Sequence, residues 1–233
     1  MLKQWTSITQ MLHLPSPCLL CGHYQRYQSS ICKPCQALFN TIEFACIICA
    51  MPLPDDTFPY CGACCQKKPA IDKTTAPYYF EDPLRQVLHA FKYHQALFLS
   101  QKIAQLMLEK VPIDLNQTQC LIPVPLHQKR FCTRGYNQAA LLARILAKSL
   151  RLPCELQLCQ KITDTRPQAG LNAVERQHNV KRAFVVKPTA YRHVTLVDDL
   201  ITTGSTVNEL ATRLKQQGVE EVHVWCLARA VLS

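Results

Sequence analysis

The stretch VTLVDDLITTGSTV, residues 194–207, decides the fold, because an apolar run passes directly into two aspartates and then into a turn rich in hydroxyl groups. The run VTLV is typical of a short buried strand. The segment NELATRLKQQG follows with the apolar spacing of a helix, and Gly218 marks the end of that helix. A strand, a turn and a helix in this order form the repeating unit of a parallel sheet.

Other segments repeat this alternation of strands and helices. APYYFE, CLIPVP, AFVVK and EVHVWCLARA predict strands, and NQAALLARILAKSLRL predicts an amphipathic helix. PLRQVLHAFKYHQALFLSQKIAQLMLEKV predicts two helices broken near His94. We therefore expect an α/β fold with a mainly parallel sheet flanked by helices. The segment QKKPAIDKTTAP is expected to be a linker between an N-terminal domain, residues 1–70, and a second domain, residues 71–233.

The acidic pair and the turn after it lie where a parallel sheet binds ligands, beyond the carboxyl end of a strand. Two carboxylates can accept hydrogen bonds from the two hydroxyls of a vicinal diol. Amides and hydroxyls at a helix start bind a monophosphate, and a glycine lets the backbone approach the anion. A diol and a phosphate at this separation predict a 5-phosphoribosyl ligand. The predicted binding residues are Asp198, Asp199, Thr202, Thr203, Gly204, Ser205 and Thr206.

Alternative roles for the turn fit its residues less well. A P-loop needs GxxxxGK, and the turn has no lysine; a dinucleotide-binding turn needs GxGxxG, and the stretch has one glycine. Asp198 as a plain helix cap would account for one carboxylate but not for the hydroxyls. If the ligand carries a pyrophosphate, Mg²⁺ between the diol and the pyrophosphate would reduce the charge conflict with the acids.

Eight of the 14 cysteines form four CxxC pairs near the N-terminus. One tight turn presents both sulfurs of a pair to one ion, and tetrahedral zinc takes two such turns. Consecutive pairs or crossed pairs could share an ion. Isolated, evenly spaced pairs favour zinc over an iron–sulfur cluster, and a chain without an export signal favours metal in a reducing cytoplasm over disulfides. The predicted ligands of two structural Zn²⁺ ions are Cys18, Cys21, Cys32, Cys35, Cys46, Cys49, Cys61 and Cys64.

The first residues of the chain form a separate feature. Leu2, Trp5, Ile8 and Leu12 are spaced like one face of a helix, which is expected to dock on the protein or, alternatively, to lie in a membrane interface. No apolar run approaches the roughly 20 residues of a membrane span.

The net charge of +10 is concentrated between residues 120 and 197, where 13 basic and three acidic residues occur. Such an excess indicates a polyanion partner. Phe131 and Tyr136 lie among the basic residues and would either stack on the bases of single-stranded DNA or belong to the core. Arg166 and Arg176 belong to a long polar segment that is expected to cover the anion. The predicted contacts to pyrophosphate or to a DNA backbone are Lys92, Lys129, Arg130, Arg134, Arg166 and Arg176.

The stretch VDDLITTGST closely resembles the phosphoribosyl-diphosphate-binding motif of type I phosphoribosyltransferases. With IPVPLHQKRFCTRGYNQAALLA, TRPQAGLNAVERQHNVKRAF and the cysteine pairs, nearly the whole chain is similar to the ComF/GntX family of competence proteins. The resemblance implies a type I phosphoribosyltransferase-like domain after an N-terminal double zinc ribbon. It also implies a role in natural transformation, in which incoming single-stranded DNA is handled at the cytoplasmic side of the inner membrane.

The resemblance leaves the activity open. The expected partners are single-stranded DNA, competence or DNA-processing proteins and, by peripheral contact, membrane machinery. An active phosphoribosyltransferase acting on an unidentified base or nucleotide acceptor is the alternative, and no set of residues in the sequence selects one nucleobase. An adaptor whose ribbons dock partner proteins is compatible with DNA handling.

Overall fold

The structure is a computed structural model that describes residues 16–25, 30–93, 96–112, 115–163 and 183–231. The predicted N-terminal helix face, His94, and the polar segment with Arg166 and Arg176 lie outside the described residues. Among the helices of the described part, none combines the length and the apolar character that crossing a membrane requires.

Strands and helices alternate along most of the chain. The helices are α1 (Lys33–Gln36), α2 (Gly62–Gln66), α3 (Leu84–Tyr93), α4 (Leu99–Leu108), α5 (Gln128–Arg134), α6 (Gln138–Leu150) and α7 (Ser205–Gln216), with a 3-10 turn at Leu115–Gln117. The strands are β1 (Ser16–Pro17), β2 (Tyr24–Gln25), β3 (Lys73–Thr75), β4 (Tyr78–Tyr79), β5 (Cys120–Pro123), β6 (Cys159–Lys161), β7 (Phe184–Val186), β8 (His193–Val197), β9 (Leu200–Ile201), β10 (Glu221–Trp225) and β11 (Ala228–Arg229).

Two parallel sheets form the centre of the fold. The larger sheet has the order β3-β10-β8-β5 and the smaller has the order β4-β11-β9, and every strand pair in both is parallel. Two short antiparallel pairs, β1-β2 and β6-β7, lie outside them. The mainly parallel α/β fold expected from the alternation of strands and helices is therefore confirmed.

Apolar residues on the two faces of the larger sheet form two separate cores. One core packs α3, α4 and α6 against Leu121 and Trp225. The other packs α7 against Ile122, Leu196 and Val224. Neighbouring residues such as Leu121 and Ile122 enter opposite cores because side chains alternate across a strand. Burial on both faces explains why the central strands are nearly continuous apolar runs.

The segment EVHVWCLARA was expected to be one strand, but it forms β10 and β11, separated by residues 226–227. The break lies beside the one between β8 and β9, where Asp198 and Asp199 lie. At this level the Asp198 N–H donates to the Trp225 carbonyl at 3.2 Å, and the Ala228 N–H donates to the Asp199 carbonyl at 3.3 Å. These bonds keep the two segments paired where both pass from the larger sheet to the smaller one. The predicted single strand is therefore divided into β10 and β11 at this point.

The segment expected to be a linker, residues 66–77, contains β3. The Thr74 N–H donates to the Ile47 carbonyl at 2.8 Å, and Thr74 Oγ1 donates to the Ile48 carbonyl at 2.6 Å. The strand thus contacts the cysteine-rich part as well as β10. The linker interpretation is wrong for this strand, because a polar run of three residues is too short to show a strand period. The division into two domains near residue 70 stays a prediction.

Candidate functional site

Asp198 and Asp199 lie at the carboxyl end of β8, in the break between the two sheets. Asp199 is only 2% exposed, and its Oδ1 forms an ion pair with Lys92 Nζ at 3.0 Å. Its second carboxylate oxygen, Oδ2, is buried and has no hydrogen-bond partner among the described residues. A buried polar atom without a partner is destabilising. This oxygen therefore marks a place where a ligand hydroxyl or a cation would supply the missing contact.

The charges around the acidic pair do not balance. Burial and the adjacent charge of Asp199 raise the pKa of Asp198 to about 8, although the Lys92 ammonium opposes the rise. Burial lowers the pKa of Lys92, but the charges of Asp199 and Asp198 outweigh burial and raise it above its ordinary value. One lysine thus faces two acids, and the pair retains a proton at neutral pH. A diol suits such a site because its two hydroxyls donate hydrogen bonds to the carboxylates.

The turn at residues 202–206 presents an open helix N-terminus. Gly204 precedes α7 with a φ of +76°, in the left-handed region that favours glycine. The cap residue Gly204 has no side chain to cap α7, and within the described residues no acidic side chain lies in the first turn. Thr203 Oγ1 lies 3.0 Å from Ser205 Oγ and accepts a long hydrogen bond from the Ser205 N–H at 3.4 Å. The other N–H groups of the first turn, the hydroxyls and the positive end of the helix dipole together suit a phosphate.

The basic stretch after CLIPVP, in which no helix was predicted from the sequence, forms the helix α5. The His127 side chain accepts a hydrogen bond from the Lys129 N–H at 3.3 Å and starts the helix. Gly135, with a φ of +81°, ends it. These two caps satisfy backbone groups at both ends, which allows a short polar segment to be helical.

Lys92 and Arg134 come together at the start of α6. The Arg134 guanidinium lies 5.5 Å from the ring centre of Tyr93, and its Nη1 donates to Gln138 Oε1 at 2.7 Å. Gln138 Nε2 in turn donates to the Lys92 carbonyl at 3.5 Å. This network joins the end of α3 to the start of α6 and holds Lys92 beside the acidic pair.

The two aromatic residues of the basic region differ in exposure. Phe131 on α5 is 48% exposed, next to Arg130 in the chain, and Lys129 is exposed on the same helix. Tyr136 is half-buried, and its hydroxyl donates to the carbonyl of Phe91, a fully buried residue. Phe131 is therefore accessible to a ligand, whereas Tyr136 packs against α3.

Arg229, on β11, was not predicted from the sequence. This residue is 4% exposed, its Nη1 donates to the carbonyl of Thr202 at the start of the turn, and its Nε donates to the Cys49 carbonyl at 3.0 Å. A single charged residue in the apolar run VWCLARAVL is the signal that could have identified it.

The eight paired cysteines form two clusters, each built from two consecutive CxxC pairs. In each cluster the four sulfur atoms lie within 4.8 Å of one another, with 3.8 Å between Cys21 and Cys32 and 3.6 Å between Cys49 and Cys61. Sulfurs at about 2.3 Å from a tetrahedral zinc are about 3.8 Å apart, so both clusters could hold zinc. The structure thus shows the consecutive arrangement of the pairs and not the crossed one.

The thiols of the first cluster differ in acidity. Burial opposes ionisation of Cys18, but backbone N–H groups of Cys32, Cys21 and Leu20 outweigh burial and lower its pKa to about 6. Hydrogen bonding with Cys32, together with burial, raises the pKa of Cys35 to about 12. Thiolates gathered this closely repel one another, and a divalent cation would stabilise all four and release their protons.

The parallel sheets, the acidic pair and the open helix end define a phosphoribosyltransferase-type domain. The sequence model of the family described as "Phosphoribosyl transferase domain" matches residues 136–231, which include the acidic pair and the turn. The chain is 34% identical over 223 residues to Competence protein F of Haemophilus influenzae, with 91% of this chain and 96% of that protein covered.

The chain also aligns with two further relatives over nearly the full length of each. DNA utilization protein YhgH of Escherichia coli strain K12 is 32% identical over 233 residues, with 95% of this chain and 100% of that protein covered. Competence protein ComFC of Streptococcus pneumoniae is 23% identical over 228 residues, with 91% and 99% covered. The chain therefore belongs to the competence protein F family, as its resemblance indicated.

Zinc content tests the two clusters. We expect two zinc ions per chain in the wild-type protein and one in Cys46→Ser, because a serine hydroxyl is a poor zinc ligand. Mass spectrometry of the metal in purified protein measures this. Cys65→Ser is the matched control and should keep both ions, because Cys65 is exposed and belongs to neither cluster. Two ions in Cys46→Ser would contradict the assignment.

Protonation of Asp198 should make stability depend on pH. The folded chain binds this proton more tightly than the unfolded chain, so the stabilisation is complete below about pH 4 and is lost as the pH rises to about 8. Asp198→Asn should reduce this decline between about pH 5 and pH 8, because its amide does not titrate.

Urea denaturation at a series of pH values measures the free energy of unfolding of both proteins. Glu220→Gln removes an exposed carboxylate and should leave the wild-type decline unchanged. An equal decline in the wild-type protein and in Asp198→Asn would show that another group causes it.

Proposed function

We propose that this chain handles incoming single-stranded DNA during natural transformation, at the cytoplasmic side of the inner membrane, and binds a 5-phosphoribosyl group in the pocket of the acidic pair. The proposed pocket rests on Asp199 Oδ2, a buried oxygen that has no hydrogen-bond partner in the described part of the chain and lies at the strand end that leads to the N-terminus of α7. The names of the relatives, competence protein and DNA utilization protein, support the role in DNA uptake.

In this proposal, a different set of residues binds each part of the ligand. Asp198 and Asp199 accept hydrogen bonds from the two ribose hydroxyls. The turn at residues 202–206 binds the 5-phosphate through its N–H groups and its hydroxyls. Lys92 neutralises Asp199 in the free protein and lies where it can meet the pyrophosphate of phosphoribosyl diphosphate. Mg²⁺ fits this ligand, because a cation shared by the diol and the pyrophosphate would neutralise the acid that Lys92 leaves unpaired.

The helix α5 supplies a surface for single-stranded DNA. Lys129 and Arg130 are positioned to follow phosphates, and the exposed ring of Phe131 between them and Arg134 can stack on a base. Arg166 and Arg176 are assigned to the same anion from the sequence alone. A basic surface next to the pocket accounts for the concentration of positive charge in this part of the chain.

The zinc-ribbon domain, residues 1–70, is assigned to protein partners. Phe58 is 70% exposed and Tyr60 is 44% exposed on the second ribbon, the segment that carries the cluster of Cys46, Cys49, Cys61 and Cys64. Exposed aromatic residues are enriched at protein interfaces. We assign this surface to competence or DNA-processing proteins and to peripheral contact with membrane machinery.

An active phosphoribosyltransferase is the alternative function, favoured by the family match over residues 136–231. Its reaction would pass through an oxocarbenium-like state, in which Lys129 and Arg134 stabilise the departing pyrophosphate. Release of pyrophosphate from phosphoribosyl diphosphate in the presence of an acceptor base would support this alternative.

The acidic pair should determine phosphoribosyl affinity. We expect Asp198→Asn combined with Asp199→Asn to weaken binding of phosphoribosyl diphosphate with Mg²⁺ by about 100-fold or more, because the ribose hydroxyls lose their carboxylate acceptors and the cation loses the negative charge of the pair. Titration calorimetry measures the affinity. Glu220→Gln, an exposed carboxylate on the surface, is the control and should bind like the wild-type protein. Unchanged affinity in the double variant would remove the site assignment.

Exposed Phe131 should contribute to DNA affinity. We expect Phe131→Ala to weaken binding of a fluorescent oligothymidine by roughly tenfold, because one base loses its stacking partner. Fluorescence anisotropy at several salt concentrations measures this, and affinity should fall steeply with salt. Phe58→Ala, which removes an exposed ring outside α5, should leave DNA affinity unchanged. Wild-type affinity in Phe131→Ala would exclude α5 as the DNA-binding surface. In a separate measurement, competition between the oligothymidine and phosphoribosyl diphosphate shows whether both ligands bind in the pocket.

A further inference from the structure

Arg229 is a buried positive charge at the end of β11. Its Nε donates to the Cys49 carbonyl at 3.0 Å, and its Nη1 donates to the Ala230 carbonyl at 2.6 Å, to the Ile201 carbonyl at 3.4 Å and to the Thr202 carbonyl. The side chain therefore joins three separate stretches of backbone through one rigid, planar group.

The partners of Arg229 leave its charge uncompensated. Within the described residues all of them are backbone carbonyls, and no carboxylate lies within ion-pair distance. A buried guanidinium without an anion is destabilising, although carbonyl dipoles offset part of the loss. Two ligands would bring negative charge close to it. Zinc bound by the four thiolates of the second cysteine cluster would form a group with a net charge of −2, and an anion bound at the turn would be the second source.

The contact with Thr202 orients the turn. A trans peptide is planar, so its carbonyl and the N–H of the next residue point in opposite directions. Because Arg229 draws the Thr202 carbonyl inward, the Thr203 N–H faces away from the guanidinium. The guanidinium thus sets the direction of a donor in the segment that leads into Gly204 and α7.

The contact with Cys49 connects the same group to a metal ligand. Cys49 belongs to the cluster of Cys46, Cys61 and Cys64, and its carbonyl position depends on how the tight turn of residues 46–49 is held. The Ala50 N–H donates to the Cys46 carbonyl at 2.8 Å, which closes that turn. A metal ion bound by both sulfurs of the turn would fix it, and with it the acceptor for Arg229 Nε.

We propose that Arg229 is a positioning residue that couples metal occupancy of the second cluster to anion binding at the turn. The inference rests on the proposed function, in which the turn binds the 5-phosphate. With zinc bound, the Cys49 carbonyl holds the guanidinium in place, and the guanidinium holds the Thr202 peptide with its donor side outward. Without zinc, the guanidinium loses one fixed acceptor, so the turn is held less firmly and binds the anion more weakly.

Coupling of this kind acts in both directions. If zinc in the second cluster strengthens anion binding, the anion must strengthen retention of that zinc by the same factor. The first cluster, Cys18, Cys21, Cys32 and Cys35, does not include an Arg229 contact and is an internal control within the same molecule.

The experiment measures zinc release from the full chain to a chromogenic chelator, with and without phosphoribosyl diphosphate and Mg²⁺. We expect the ligand to slow release of one zinc ion of the two by about tenfold and to leave the other unchanged. Cys18→Ser, which leaves the second cluster intact, identifies the slowed ion as the one in that cluster. Equal slowing of both ions, or of neither, in a wild-type protein that binds the ligand would overturn the coupling.

Substitution of Arg229 separates its role from general stability. Arg229→Gln should keep two zinc ions, bind phosphoribosyl diphosphate about tenfold more weakly and lose the effect of the ligand on zinc release. Arg229→Lys, which keeps the charge but not the planar set of donors, should restore part of the affinity. Arg192→Gln removes an exposed guanidinium and should change none of these quantities. Wild-type affinity with a retained ligand effect in Arg229→Gln would exclude Arg229 as the connection.

The outcomes distinguish this inference from the proposed function. If the wild-type protein binds no phosphoribosyl diphosphate, the proposed pocket fails and the coupling fails with it. If the wild-type protein binds the ligand but the rate of zinc release does not change, the proposed pocket is retained and only the coupling is overturned. Should Arg229→Gln fail to fold, the wild-type protein still tests the coupling, and Arg229→Lys tests the role of Arg229, because a wild-type ligand effect on zinc release in that variant would exclude the planar guanidinium as the connection.

Discussion

Two backbone hydrogen bonds fix the place at which both central strands leave the larger sheet. The Asp198 N–H donates to the Trp225 carbonyl, and the Ala228 N–H donates to the Asp199 carbonyl. They keep the two segments paired while the chain passes to the smaller sheet, so the aspartates occupy a junction instead of a strand. The depth of Asp199, the raised pKa of Asp198 and the direction of the turn into α7 all follow from this junction.

Destabilising charges are concentrated around the junction. Among the residues that the structure describes, two acids share one lysine, and one carboxylate oxygen of Asp199 has no hydrogen-bond partner. On the other side of the turn, the buried Arg229 donates its described hydrogen bonds to backbone carbonyls alone. Apolar residues at these buried positions would give a more stable folded chain, since buried charges rarely add stability. Strain of this kind is typical of a binding site, where the ligand supplies the contacts that the free protein lacks.

Local patterns in the sequence predicted the fold and the two cysteine clusters, and they indicated where the candidate site lies. VTLV and the helix after the hydroxyl-rich turn could be predicted because each is a continuous pattern, and the two clusters could be predicted from the spacing of the cysteines. Contacts between distant segments were not. The ion pair of Lys92 with Asp199, the burial of Arg229 and the pairing of β3 depend on segments brought together by the whole fold. The helix α5 was missed because its caps, His127 and Gly135, were not recognised in a stretch dominated by charge.

The attachment of Thr74 to the second ribbon has a consequence for association between molecules. Outermost strands of an open sheet expose N–H and carbonyl groups to which a strand of another molecule can add. Here Ile47 occupies the outward-facing donor of β3, and on the opposite border the backbone of residues 153–155 occupies both outward-facing groups of Leu121. Within the described residues, the four-stranded sheet is thereby blocked at both borders without an additional strand, and the segment of the second cysteine cluster protects one border from intermolecular β-pairing.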